Sequence, residues 1–375
     1  MDNMADYLAL ALDGAPRDLF SPDEMARLNA LGKKLPPGFG DFLFGFECRL
    51  GEGDPAVDLA MGTPQYNLCR DLIKGILEHH LFNVHARVNS VWEKLKTLIE
   101  GYLGNDPALS KCLENIILEF DRETAGDDHP VPGVFLGLRP YSRLAGNQLG
   151  DNATRRPVPR VTPGAAYRAM VRGLEIIGGN RLPGETRKTF RRIYRQLTPP
   201  AIILYAGAML SRHTTAVRIC TRHIDGTDII SFLKSTGWKG DYKTLAHVTG
   251  VWGDIFNHFI LNIDVAADIL PKVGVECYFH QKKQPNQEKR WKKLVEQLIA
   301  EGICAAGKGE GLLSFTARKH FFPTPVFEDD PNSPTRLPRH PLVMTRGLHH
   351  LKFIIEPEKP LSVKAYLWAG VKQLN

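Results

Sequence analysis

Residues 349–369 read HHLKFIIEPEKPLSVKAYLWA. An apolar run, a break at Glu356-Pro357-Glu358-Lys359-Pro360 and a second apolar run describe a β-hairpin. The second strand alternates. Val363, Ala365 and Leu367 fall on one face, and Lys364, Tyr366 and Trp368 on the other. A cation followed by two amphipathic aromatics suits the lining of a solvated cavity better than a packed sheet face. The plainer reading is a surface hairpin with its polar side in water. The rest of the chain decides between the two, because similar strand pairs recur.

The first pair joins Asp41–Leu50 to a short strand near Ala56–Met61. Phe42, Phe44 and Phe46 share one face of its first strand, and Glu47 lies on the other. The second pair is Leu113–Asp121 with Gly133–Tyr141, where Arg139 and Tyr141 fall on the same side. The third is Ala201–Leu210 with Thr215–His223, where Arg218, Cys220 and Arg222 alternate with apolar residues. The fourth is His258–Ala266 with Val273–His280, where Gly274, Glu276, Tyr278 and His280 share a face. Lys352 joins the candidate inward set from the last hairpin.

Helical stretches separate the pairs: Gln65–Leu103, Thr162–Gln196, 227–256 with a break at Gly237-Trp238-Lys239-Gly240, and Glu288–Glu301. A lead-in helix starts at Ser21-Pro22-Asp23-Glu24, with a capping hydroxyl, a proline in the first turn and acids near the positive end. Arg143–Pro163 and Phe321–Pro341 carry no periodicity. Helices alternating with antiparallel hairpins about five times over predict an α+β chain and disfavour a doubly wound parallel sheet. Roughly ten such strands can close into a barrel wrapped by helices, which removes the exposed edges of a wide open sheet. Residues 1–38 are then a helical lead-in and 39–375 a single αββα-repeat domain.

The chain has 375 residues and a formal net charge of +7, which suits an anionic partner without identifying it. Basic runs at 187–195 and 282–293 read as solvated helix faces. Neither accompanies a nucleic-acid-binding module, so a nucleic-acid partner is disfavoured. No apolar run reaches the roughly 20 residues of a membrane span, and the acidic N-terminus lacks the basic start of a signal peptide. The six cysteines are scattered without a CxxC, as expected of reduced thiols in a cytoplasmic protein.

Repeated α-β-β-α units predicting a ten-stranded barrel inside a helix ring resemble the aromatic prenyltransferases, the ABBA or PT-barrel class. This class includes indole prenyltransferases of the dimethylallyltryptophan synthase type and cyanobactin-type peptide prenyltransferases. The resemblance runs from about Phe39 to the end at the level of topology. Its local marks are Arg139-Pro-Tyr141, Glu276-Cys-Tyr278 and Lys364-Ala-Tyr366, with Arg218-Ile-Cys220 carrying the base without the aromatic. It implies that Arg139, Arg218 and Lys364 hold the diphosphate of an allylic donor, a concentrated anion that cations on several strands can stabilise as it leaves. It implies that Tyr141, Tyr278 and Tyr366 shield the allylic cation from water with their π-faces. Glu47 matches the carboxylate that anchors the acceptor's ring N–H or hydroxyl, and it could remove a proton. The plain alternative for Glu47 is a rim ion pair with Arg49. Glu276, Trp368, Arg222 and Lys352 are further lumen candidates.

Two residues depart from the pattern. Asp58 stands where indole prenyltransferases commonly place an arginine, and Glu276 where a neutral or basic residue would suit a diphosphate better.

The implied activity is transfer of a prenyl group from an allylic diphosphate to an electron-rich aromatic acceptor, an indole or phenol, free or in a peptide, in secondary metabolism. The alternative is a non-catalytic barrel that binds a small anion or peptide. No DDxxD pair sits on a helix, no metal site is expected, and magnesium as a cofactor is left open. His79, His80 and His85 lack the HExxH pattern. His349 and His350, adjacent on a strand, are expected on opposite faces.

Overall fold

The structure is a computed structural model describing residues 1–41, 43–53, 56–63, 70–124, 126–139, 161–212, 214–253, 255–279, 283–321 and 342–373. Its strands are β1 (Phe44–Arg49), β2 (Val57–Gly62), β3 (Leu113–Phe120), β4 (Gly133–Leu138), β5 (Ile202–Ala208), β6 (Val217–Ile224), β7 (His258–Val265), β8 (Ile269–Tyr278), β9 (Ala317–Phe321), β10 (Leu342–Ile355) and β11 (Ser362–Gln373). All the pairings are antiparallel. β1 to β8 follow one another around the sheet, β10 pairs with β8, and β11 pairs with both β10 and β1. Ten strands therefore close a ring. β9 pairs only with the first residues of β10, from Leu342 to Arg346.

Each hairpin expected from the alternation is present. The final one is longer than expected: β10 begins at Leu342, seven residues before His349, and an unanticipated strand, β9, comes before the segment read from sequence as irregular. The helical stretches are divided more finely than their periodicity implied. Residues 162–196 form two helices, Pro163–Gly178 and Gly184–Gln196, with Gly179 at a φ of 72° ending the first. The stretch 70–100 forms three helices, and the break at Gly237 is real, its φ being 79°. Ser21 caps the helix Pro22–Gly32 by accepting from the Glu24 N–H at 3.2 Å.

The apolar faces of the strands point outward to the helices. Phe44, Phe46 and Cys48 of β1 are buried, as are Val363, Ala365 and Leu367 of β11. Phe46 meets Phe20 of the lead-in edge-on at 5.1 Å, and Phe353 of β10 meets Trp252 at 5.6 Å. One continuous core contains residues of the lead-in, the helix ring and the outer barrel face. Burial of this apolar surface holds the ring of helices on the barrel. The opposite faces of the ten ring strands are left to line the lumen.

Candidate active site

Period-2 alternation delivers the inward set. On β11, Lys364, Tyr366 and Trp368 face the lumen. In register, Glu47 of β1 lies opposite Tyr366 on one side and opposite Asp58 of β2 on the other. The Lys364 ammonium donates to Glu47 Oε1 and the Tyr366 hydroxyl to Glu47 Oε2. Glu47 is only 3 % exposed. The alternative for Glu47, a rim ion pair with Arg49, does not form; Arg49 approaches Glu123 at 3.6 Å instead.

Lys352 of β10 is paired in register with Lys364 and with Glu276 of β8. Its ammonium donates to Asn262 Oδ1 at 3.1 Å and lies 3.7 Å from Glu276 Oε1. Gly274 leaves room for this side chain, since a Cβ there would come within 2.5 Å of Lys352 Cε. Glu276 accepts from Asn262 Nδ2 at 2.9 Å and from the Tyr278 hydroxyl at 2.6 Å. Arg218 of β6 makes a two-point contact with Asp264 of β7 at 2.7 and 2.9 Å. Arg212, from the turn between β5 and β6, donates to Asp121 and approaches Glu119 of β3 at 3.4 Å.

Within the lumen a pocket is lined by Glu47, Arg212, Arg218, Asn262, Asp264, Lys272, Val273, Gly274, Lys352, Ile354 and Lys364. The lumen therefore carries cations on several strands, as a diphosphate site needs. Arg212, Arg218, Lys352 and Lys364 each face a carboxylate partner.

Electrostatics divide the carboxylates. Burial pushes Glu47 up, but the charges of Lys364 and Lys352 outweigh it and hold the carboxyl well below its usual range. Burial and then the Glu47 charge push Asp58 up to about 7. Burial and Glu47 likewise raise Glu119. Oxygens of Glu47, Asp58 and Glu119 lie within 4.8 Å of one another, a spacing that a hard divalent cation could bridge. Burial works against the Lys364 charge, but Glu47 raises its pKa. Burial followed by the Glu276 charge keeps the Tyr278 hydroxyl protonated, its pKa well above the usual phenol value.

A column of rings crosses four strands on the lumen side. His258 stacks on Tyr278 at 4.8 Å, Tyr278 on His350 at 4.4 Å, and His350 on Tyr366 at 4.2 Å. A bulge between Leu348 and His350 shifts the register of β10 against β11. The expectation that His349 and His350 take opposite faces fails for this reason. Their Nδ1 atoms meet at 2.7 Å, one donating to the other. Stacked π-faces of this kind can cover a cationic centre and keep water from it.

The structure thus brings Glu47, Arg218, Lys364, Tyr366, Lys352, Glu276 and Tyr278 into one lumen. Trp368 faces the same way and packs over Gly347, its partner in the ladder; a Cβ on that glycine would sit 3.0 Å from the indole nitrogen. Two expected residues lie elsewhere. The Arg139 guanidinium donates to the Leu113 and Ser110 carbonyls at 2.9 and 3.1 Å and is not among the residues that line the cavity; it follows the last residue of β4, Leu138. Arg222 is exposed beside a second bulge near the end of β6. Tyr141 and Phe42 lie outside the described residues.

Arg212, Lys272, Asn262, Asp264 and Glu119 were not anticipated. Alternation would have found Asn262 and Asp264 on β7 and Glu119 on β3. Arg212 sits in a turn, where periodicity gives no direction.

No family model matches the sequence, and no curated protein does so. Solved structures match nearly end to end. A 6-dimethylallyltryptophan synthase from Micromonospora olivasterospora, in complex with DMASPP and Trp, superposes with a TM-score of 0.52 at 12 % identity. The match covers 97 % of this chain and 94 % of that one. The prenyltransferase PriB in its apo form gives 0.53 at 12 %, covering 97 % and 93 %. AnaPT from Neosartorya fischeri gives 0.53 at 10 %, covering 98 % and 91 %. The chain has the ABBA, or PT-barrel, fold of these prenyltransferases. Among the described residues no helix is long and apolar enough to cross a membrane.

Proposed function

We propose that the chain is an aromatic prenyltransferase, moving a prenyl group from an allylic diphosphate to an electron-rich indole or phenol, free or within a peptide, in the cytoplasm. One observation carries this reading: a closed barrel of the PT type turns cations, stacked rings and a buried acid toward its lumen. Arg218, Lys364, Lys352 and Arg212 would take the diphosphate oxygens and stabilise the leaving group. Tyr278, Tyr366 and the imidazole between them would face the allylic cation. Glu47, ionised and fixed at both oxygens, would orient the acceptor's N–H or O–H. Transfer forms a carbon–carbon or carbon–heteroatom bond, breaks the allylic C–O bond and releases diphosphate and a proton.

The test is incubation with dimethylallyl or geranyl diphosphate and a panel of tryptophan, tyrosine and peptide acceptors, with and without magnesium, read by mass spectrometry. A prenyl mass gain is expected with at least one pair. Glu47→Gln should lower its rate by about 10²–10⁴-fold while donor binding persists. No gain with any pair, from folded protein, contradicts the reading.

A second reading is supported by the ion pairing. A lumen whose cations face carboxylates suits an inert barrel that holds a small anion or peptide. Failure to turn over a bound prenyl thiodiphosphate's oxygen analogue with any acceptor would favour it.

A further inference from the structure

Glu276 is a lumen acid to which the diphosphate reading gives no task. Its Oε1 accepts from Asn262 of β7 at 2.9 Å and lies 3.7 Å from the Lys352 ammonium. Its Oε2 accepts from the Tyr278 hydroxyl at 2.6 Å and lies 3.5 Å from His350 Nε2. One oxygen thus faces the cationic end of the lumen and the other the stacked rings. Both oxygens of Glu47, by contrast, are taken by Lys364 and Tyr366. His350 is buried between Tyr278 and Tyr366, and its Nδ1 meets Nδ1 of the half-buried His349 at 2.7 Å. When His350 donates from Nδ1 to His349, its Nε2 is left as an acceptor on the Glu276 side. A proton set between that nitrogen and Oε2 is held by both.

We propose that Glu276 takes the proton that the acceptor gives up on transfer, and that His350 is the positioning residue that shares it. The inference rests on the transferase reading and adds where its proton goes. The allylic C–O bond breaks, diphosphate leaves, and the prenyl carbon bonds to the acceptor. The acceptor's C–H, N–H or O–H bond then breaks and its electron pair stays with the ring. The proton passes to Glu276 Oε2 and is shared with His350 Nε2, and it returns to water when the lumen empties. The Glu276 carboxylate and the two tyrosine faces offset the charge of an imidazolium there. The pair is faced by Asn262 from β7, with His258 behind Tyr278, by Tyr278 from β8, by His349 and Lys352 from β10, and by Tyr366 from β11. Lys352 is the cation in this group. A diphosphate that claims it leaves the carboxylate open to a proton.

The experiment compares the full chain with Glu276→Gln, Glu276→Asp and His350→Gln. Each is assayed against pH with dimethylallyl diphosphate and the tryptophan, tyrosine and peptide acceptors, and each is titrated with dimethylallyl thiodiphosphate. Glu276→Gln keeps the side chain's size, and its kcat should fall by about 10²–10⁴-fold. It should bind the thiodiphosphate at least as tightly as the parent, because a negative charge beside Lys352 is gone. The parent's kcat should decline toward acid pH, and that decline should be absent from Glu276→Gln. Glu276→Asp should retain more rate than Glu276→Gln, which keeps the test open if the latter misfolds. His350→Gln should lose about tenfold in kcat with KM unchanged. Parental kcat in Glu276→Gln, a loss explained by weaker thiodiphosphate binding, or an aspartate variant no faster than the glutamine one would overturn the proposal. Product from the parent with no loss in Glu276→Gln sinks this inference alone. A parent chain that binds the thiodiphosphate and prenylates nothing contradicts the transferase reading, and this inference with it.

Discussion

Asp58 sits directly across the β1–β2 ladder from Glu47, and the two carboxyls behave oppositely because only one has a cation on it. In the unfolded chain an aspartate titrates near about 4; folded, burial and the Glu47 charge bring Asp58 to about 7. Between these limits the native state binds the extra proton, so the Asp58 contribution to stability falls as pH rises through the window and is fully lost above it. Asp58→Asn removes this titration. Its Tm relative to the parent chain should climb from about pH 4 to about pH 7 and level off near pH 8. A gap that stays constant with pH would contradict the assignment. The sequence marked Asp58 as a departure, and Glu47 as the acceptor anchor. It could not show that they oppose each other in register, since that depends on strand pairing.

The strand pair is the element that repeats, and its alternation places almost everything in the lumen. Bulges are where that reasoning fails. One extra residue near Leu348 brings His349 and His350 together, and another near Arg222 ends the inward run of β6. β10 also anchors the chain's N-terminus. Arg346 is buried and donates to the Ala11, Asp13, Gly14 and Phe315 carbonyls at 2.7 to 2.9 Å. The Ala11, Asp13 and Gly14 carbonyls lie where the helix Met4–Leu12 ends, and Phe315 follows the end of the helix Ala306–Ser314. Arg346→Met keeps much of the volume and takes the guanidinium donors from those carbonyls, of which Asp13 O keeps Lys319 at 3.0 Å. Urea unfolding should show a loss of about 2–4 kcal/mol, with proteolysis opening first around residues 11–14. An unchanged midpoint would mean that water replaces the guanidinium without cost.

For the whole molecule, closure of the sheet is the decisive event. Ten strands paired edge to edge in a ring leave no long free edge, and the helices cover the outer face. The lead-in takes part in this cover: Phe20 packs on Phe46 at 5.1 Å and on Phe315 at 5.7 Å. Deleting residues 1–35 would open that flank to water. The shortened chain should aggregate or lose about 10 °C or more in Tm in a thermal scan. A truncated protein with the parent's Tm would show the lead-in to be an appendage.

The order of elements, the inward positions of Glu47, Glu276, Lys364, Tyr366 and Trp368, and the outward apolar faces were determined by the sequence itself. They follow from a side-chain period of two, which is local. Tertiary structure alone decided the partners: Glu47 with Lys364 and not Arg49, Arg218 with Asp264, Arg139 on backbone carbonyls, and Arg212 brought in from a turn. Pairing depends on register, on bulges and on which strands meet when the ring closes, and those contacts join residues as far apart in the chain as Glu47 and Tyr366.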